Sequence, residues 1–242
     1  MLITSTDNNK IKLINKLKQK KYRDIENKFV IETENLIKEA LENSMLLEIY
    51  ILTGETLPFK VNVPIYEVTN EVMNKIKNIN TSKVIGICRK KSNNNYQGTK
   101  YLMLDGVQDP GNLGTIIRSA VAFNINTIIL SNTCCDLYND KTVRATEGAI
   151  FKANIIRRDL KESIDYLNNL KIKIYGTDVK CGKEVKTIEK DNYCIIIGSE
   201  GNGISQEIKE KIKENIYIKI QNVESLNVAI ATSIILYELN RN

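Results

Sequence analysis

A two-part α/β protein, its larger part a mostly parallel sheet covered on both faces, is the fold that this 242-residue sequence predicts. Three observations carry that expectation. From Tyr101 onward, short apolar runs alternate with helical patterns of roughly ten residues, as a parallel sheet under helices requires. Before it, the first hundred residues read as a smaller α/β unit, and the polar run from Arg89 to Gly98 has no apolar period and reads as a linker. The charge balance also breaks there. Residues 1–98 carry 16 Lys+Arg against 11 Asp+Glu, and residues 99–242 carry 19 against 18. The expected domains are 1–96 and 97–242.

In the first unit, Ile11, Ile14 and Leu17 recur at helical spacing inside Lys10–Lys28, a stretch with eight basic and two acidic residues. It reads as one amphipathic helix with a basic outer face. Such a face can serve solubility alone. Cations along one element are also the electrostatic footprint of nucleic-acid binding, which makes Lys10, Lys12, Lys16, Lys18, Lys20, Lys21 and Arg23 candidate phosphate contacts. The apolar side has no Trp or Phe to anchor it to a membrane surface. Then follow a strand at Phe29-Val30-Ile31, a helix over 35–42, a strand over 48–52, a loop bounded by Pro58 and Pro64, a helix over 71–77 and a strand over 84–88.

The second unit predicts strands at 101–104, 127–130, 173–175, 193–197 and 216–220, and helices at 113–123, 160–170, 205–213 and 226–240. Ligands of such sheets bind beyond the carboxyl ends of the strands. The loops after Leu104, Ile197 and Ile220 are therefore the places to look.

Composition narrows the chemistry. The chain has no histidine, which excludes Ser-His-Asp and Cys-His catalysis and histidine metal sites. Its five cysteines form no C-x-x-C pair and suggest free thiols in a reducing compartment. Neither a signal peptide nor an apolar run of membrane-spanning length is present, so the expected location is the cytoplasm, without membrane or metal.

The first loop, Asp105–Gly114, runs into a helix that carries Arg118 between one and two turns further on. Gly111 and Gly114 allow tight geometry, Asn112 can cap the helix, and an arginine so placed can reach back toward a phosphate or a developing negative charge. The second loop, Gly198–Ser205, is glycine-rich, yet its spacing is neither G-x-G-x-x-G nor the Walker pattern. Glu200 in its middle would repel a pyrophosphate and suits a ligand that is neutral or cationic near its reactive atom. The third, Val223–Ala231, opens the last helix. Ser225 can cap it and Asn227 falls just inside. That helix is apolar around much of its circumference, which suggests burial against more than one neighbour, a second subunit among them.

Together these loops resemble the three motifs of the SpoU/TrmH family of RNA ribose 2′-O-methyltransferases. The first is Asp105–Arg118 with Asn112 and Arg118, the second Ile196–Ser205 with Glu200, the third Val223–Glu238 with Ser225, Leu226 and Asn227. Residues 3–91 are also similar to the family's L30e-like substrate-binding domain. The resemblance implies a SPOUT-type domain with a deep trefoil knot, a homodimer, S-adenosylmethionine as methyl donor and RNA as substrate, ribosomal rather than transfer RNA. It implies catalytic roles for Asn112, Arg118, Glu200, Ser225 and Asn227. A cofactor pocket would use Thr177, Gly198, Ser199, Glu200, Gly201, Ile218, Ile220 and Leu226.

Two departures stand out. Ile218-Lys219-Ile220-Gln221-Asn222 lacks the family's Pro and Gly and is one residue short, and Thr33 stands where glycine is common. A guanidinium is effectively always protonated, so Arg118 fits stabilisation of a developing alkoxide better than a base. In that reading Asn112, Ser225 and Asn227 position the ribose while Glu200 orients Arg118 or its loop. The alternative is a non-catalytic RNA-binding or ribosome-assembly protein that retains the fold.

Overall fold

The computed structural model describes residues 1–92, 95–179 and 181–241. The chain folds as two units, 1–92 with 136–152, and 93–135 with 153–242. Asn93 and Asn94, inside the expected linker, lie outside the described residues.

The chain opens with β1 (Leu2–Ile3), α1 (Asn9–Leu17) and α2 (Lys20–Glu26). The basic stretch is thus two helices, because the backbone turns extended at Gln19 and α2 closes on a left-handed Asn27. Then come β2 (Lys28–Glu32), α3 (Glu34–Glu42), β3 (Leu46–Leu52), β4 (Ile65–Val68), α4 (Asn70–Ile76) and β5 (Val84–Arg89). The strand β4 begins right after Pro64, where the sequence suggests only a loop boundary, and β5 carries regular structure into the expected linker.

These strands form a sheet of order β1-β4-β3-β5-β2, with β1, β4 and β3 parallel and β5 antiparallel to both of its neighbours. The strands β3, β5 and β2 are covered on both faces and send alternate residues into two cores, while β1 and β4 feed only one. On β5, Ile85 and Ile87 join Ile11, Ile14 and Leu17 of α1 and Val72, Met73 and Ile76 of α4. Val84 and Cys88 point the other way, toward Leu36, Ile37 and Ala40 of α3. Gly86 shares that second face, where a Cβ would stand 2.9 Å from Ile31 and Leu46. Thr33, before α3, holds φ +98°, a region that favours glycine, while its hydroxyl caps Leu36 N–H.

The second unit begins with β6 (Lys100–Leu104), α5 (Pro110–Ala122) and β7 (Thr127–Leu130). Next are α6 (Asp140–Ala145) and α7 (Ala149–Lys152), which belong to the first unit: Val143, Ile150 and Phe151 complete the core around Phe29, Ile31 and Leu46. The sequence pattern assigns no element to this region, nor to β8 (Ile155–Arg157), which follows it. The chain goes on through α8 (Leu160–Asn169), β9 (Lys173–Thr177), β10 (Lys183–Glu184), β11 (Tyr193–Ile197), α9 (Gln206–Lys209), β12 (Glu214–Tyr217) and α10 (Val228–Asn240). The last strand sits earlier than its apolar run suggests, because its pairing with β9 and β10 stops at Tyr217. The helix α9 is a short version of the one expected over 205–213.

All seven strands pair in parallel, in the order β10-β12-β9-β11-β6-β7-β8. Tyr101, Met103, Cys194 and Ile196 face one core with Leu160, Ile164 and Leu167 of α8. The alternate residues Leu102, Leu104, Ile195 and Ile197 are buried too, as a sheet covered on both faces demands. From β6 the chain winds outward through β7 and β8, then crosses back to β9 and returns through β11 to the other side of β6. The boundary between β6 and β11 is where the winding reverses. In open α/β sheets that crevice is the ligand site. Among the described residues, no helix is long and apolar enough to cross a membrane.

Candidate active site

The loops after β6 and β11 leave neighbouring strands side by side. Asp105 N–H donates to Ile197 O at 2.8 Å, and Asp105 Oδ2 accepts from Ser205 N–H at 2.8 Å. The first loop is therefore tied to both ends of the second. Asp109, not Asn112, caps α5: its Oδ1 accepts from Asn112 N–H at 2.7 Å, and Pro110 follows at the first helical position. The Asp-Pro pair is a local signal for that start, and it leaves the Asn112 side chain free for other work.

The second loop is folded on itself. Ser199 and Gly203 exchange both backbone hydrogen bonds at 3.0 Å, which places Glu200 on an exposed turn. A Cβ on Gly198 would lie 2.0 Å from Gly203 C, so only glycine lets the loop close.

Asn112 Nδ2 donates to Glu200 Oε1 at 3.0 Å, and Asn227 Nδ2 donates to Asn112 Oδ1 at 3.0 Å. Asn227 Oδ1 accepts from Ala229 N–H at 2.9 Å and Ile230 N–H at 3.2 Å. Asn227 is therefore the N-cap of α10 rather than a residue inside it, and Ser225 does not cap. One residue from each of the three loops is joined in a single line of amide and carboxylate bonds. Glu200 thus holds Asn112 in the first loop, where the sequence suggests that it orients Arg118 or the loop. Ser225 is exposed. Arg118 is exposed on α5 in a stripe with Thr115 and Ala122, and makes no hydrogen bond or ion pair among the described residues.

Of the groups expected to hold the cofactor, Thr177 and Gly198 lie at the ends of the neighbouring strands β9 and β11, and Ile218 and Ile220 lie just past the end of β12. Thr177 Oγ1, at the end of β9, donates to Ile196 O at 3.0 Å. Past Tyr217 the backbone leaves the β ladder, and among the described residues the peptide groups of Lys219 and Ile220 form no hydrogen bond. Ile218, Ile220 and Leu226 are half-buried. Unspent backbone donors and acceptors flanked by apolar side chains suit a purine ring, and a carboxylate nearby suits a cationic sulfonium. The residues present fit S-adenosylmethionine.

Sequence reasoning missed a support behind the first loop. The guanidinium of Arg157 donates to Ser131 O at 2.5 Å, Cys134 O at 3.1 Å and Cys135 O at 2.8 Å. The turn it holds bonds Gly106 N–H through Ser131 Oγ at 3.0 Å and Val107 O through Cys135 N–H at 2.9 Å. Nothing local in the sequence marks a clamp made by strand β8 on the turn after β7.

The seven basic residues are not one surface. Lys10 pairs with Glu48 at 2.6 Å and Lys12 with Asp7 at 3.1 Å. Lys20 pairs with Asp24 at 3.6 Å, and Lys16 and Lys21 lie near the Tyr22 ring. Arg23 is 5% exposed and bonds Leu17 O, Lys18 O and Asp136, so it sits inside the unit rather than on its basic face.

The family models and relatives agree with this fold. Residues 99–237 match the SpoU rRNA Methylase family, and residues 8–85 match an MRM3-like substrate binding domain. The chain belongs to the SpoU rRNA methylase family. It is 32% identical over 243 residues to the Bacillus subtilis 23S rRNA (guanosine(2553)-2′-O)-methyltransferase RlmP, covering 98% of each chain. It is also similar to an rRNA methyltransferase from Sinorhizobium meliloti, with TM-score 0.87, 28% identity and coverage of 99% and 96%. The AdoMet-bound structure of an rRNA methyltransferase from that organism matches with TM-score 0.86 at 28% identity, covering 99% and 97%. The chain is accordingly an enzyme of RNA methylation, and S-adenosylmethionine is the cofactor of its class.

Proposed function

We propose that this chain transfers a methyl group to a ribose 2′-hydroxyl of ribosomal RNA. The observation that carries the reading is the line from Asn227 through Asn112 to Glu200, which joins three loops where the sheet reverses its winding. Full-length similarity to a 23S rRNA 2′-O-methyltransferase supports the ribosomal substrate.

When bound, S-adenosylmethionine supplies an electrophilic methyl on a cationic sulfur. Thr177, Gly198, Ser199, Gly201, Ile218, Ile220 and Leu226 would hold it, and Glu200 would place negative charge near the sulfonium. A ribose 2′-hydroxyl held by these loops would take that methyl, with the C–S bond broken as the C–O bond formed, and would give up its proton to solvent, which reaches this exposed loop cluster. Orientation supplies much of the rate in such an in-line displacement. Asn112, fixed from both sides, and Ser225 position the ribose, while Arg118 stabilises the developing alkoxide with a guanidinium that has no other partner among the described residues.

The remaining expectations belong to the same reading. The exposed lysines Lys12, Lys16, Lys20 and Lys21 contact RNA phosphates, the enzyme works in the cytoplasm as a homodimer, and its larger domain carries the trefoil knot. The dimer reading rests on Ile230 and Tyr237, which leave α10 54% and 51% exposed.

Mapping ribose methylation across 23S rRNA from cells with and without the protein tests the core claim. One site is expected to lose its methyl group and to recover it with the wild-type chain, but not with Asn112→Ala. An unchanged methylation map overturns the reading.

A further inference from the structure

The first unit holds a cleft away from the three loops. It opens between the end of α1, the strand β2 and the start of α6, and its cavity volume is about 80 Å³. The half-buried Val30 lines one side with the almost fully buried Leu17 behind it, the Tyr138 ring, which packs on Phe29 and carries the Lys90 ammonium at 5.0 Å, gives an edge on another, and the buried Arg23 forms the back. A shallower groove continues past Glu32 toward Arg144.

Most charges there are already spent. Both oxygens of the buried Glu32 accept backbone N–H groups, from Asn78 at 2.7 Å and Ile79 at 2.9 Å, which fixes Asn78 at the rim. Asp140 is paired with Arg144 at 2.8 Å. What is left over is specific. The Asn78 side-chain amide, the Lys18 ammonium and the nearby Lys75 ammonium have no partner among the described residues. Desolvation pulls the Lys18 ammonium below its usual range, although Glu32 and Asp140 oppose this.

A small cleft with apolar side chains beside one unspent amide suits the edge of a planar heterocycle that enters it part-way, with its hydrogen-bonding groups toward the amide. Two free cations beside it match a phosphodiester. Unpaired nucleotides present both together, with a base whose edge is open to be read. We propose that this cleft takes one unpaired nucleotide of the RNA substrate, its base entering part-way against Val30 and Tyr138, its edge on Asn78, and its phosphate on Lys18 and Lys75. The proposal rests on the methyl-transfer reading for its substrate class only.

The test uses the full-length chain, with fluorescently labelled homo-octamers of A, C, G and U and a blunt RNA duplex as probes. At least one octamer is expected to bind more tightly than the duplex. Asn78→Ala should weaken that octamer by about tenfold, the scale of one lost base contact, without changing the salt slope. Lys18→Ala and Lys75→Ala should each flatten the slope by about 0.7. Lys38→Ala, on α3, and thermal melting of every variant control for charge and folding. Octamer binding that Asn78→Ala leaves unchanged, or a duplex bound more tightly than every octamer, overturns the cleft. Calorimetry with S-adenosylmethionine separates the two readings: cofactor binding without octamer selectivity refutes the cleft alone, and octamer selectivity without cofactor binding refutes methyl transfer alone.

Discussion

Asn227 faces two ways, with its Oδ1 on the first N–H groups of α10 and its Nδ2 on Asn112. The two halves of one amide can be separated by substitution. Asn227→Asp keeps the cap, and its charge suits a helix N-terminus, so the melting temperature should hold within a degree or two. It removes the donor to Asn112, whose amide must then turn toward the new carboxylate and release Glu200. Single-turnover methyl transfer is expected to fall at least tenfold. Asn227→Ala should lose both properties, activity as before and stability by about 1 kcal/mol. Equal activity in Asn227→Asp and the wild type would detach Asn112 from the chemistry. The sequence names Asn227 through its motif, but not as the cap, because Ser225 is an equally good capping residue two positions earlier. Only the point where α10 meets the loop decides between them. Asp109 before Pro110 carries a local capping signal that the sequence reading passes over in favour of Asn112, whereas the Glu200–Asn112 bond spans 88 positions and has no local signal.

Regular elements with strong periods were legible in the sequence, among them α3, α8, β6, β7 and β11. Those whose identity depends on a distant partner were not. Strand β8 is three residues long and exists because β7 lies beside it. The helices α6 and α7 are too short to show a period, and they pack on the first unit although their sequence lies within the second. That placement has a physical cost when it is undone. A fragment 1–96 lacks Val143, Ile150 and Phe151, each a large buried side chain contributing roughly 1.5–3 kcal/mol, and leaves Arg23 buried without Asp136. The sum rivals the whole stability of a small domain. Fragment 1–96 is expected to melt without a cooperative transition. Residues 1–92 joined to 136–152 by a flexible glycine-serine linker should restore the transition, as circular dichroism during heating will show. A sharp transition in the short fragment would mean that the core closes without α6 and α7.

At the scale of the whole molecule, the proposed dimer would turn on one helix pair. Ser119 of α5 and Ser233 of α10 bond at 2.7 Å, and Phe123 meets Tyr237 edge-on with ring centroids 6.1 Å apart. Ile230 and Tyr237 keep much of their surface exposed beyond that pairing, a row of apolar surface that the proposed dimer would bury. Ile230→Asp should convert a species of twice the 27.5 kDa chain mass into a monomer, read by light scattering after gel filtration, with the melting of the isolated chain little changed. A monomeric wild type would remove the dimer from the reading. Neither sheet competes for this role. The larger one ends in β10, two residues long, and in β8, three residues long, while the smaller one begins with the two-residue β1 and has α6 packed on β2 at its other edge. Ladders that stop so soon give a stray strand almost nothing to template on, so these sheets resist end-to-end growth into aggregates and leave self-recognition to helices.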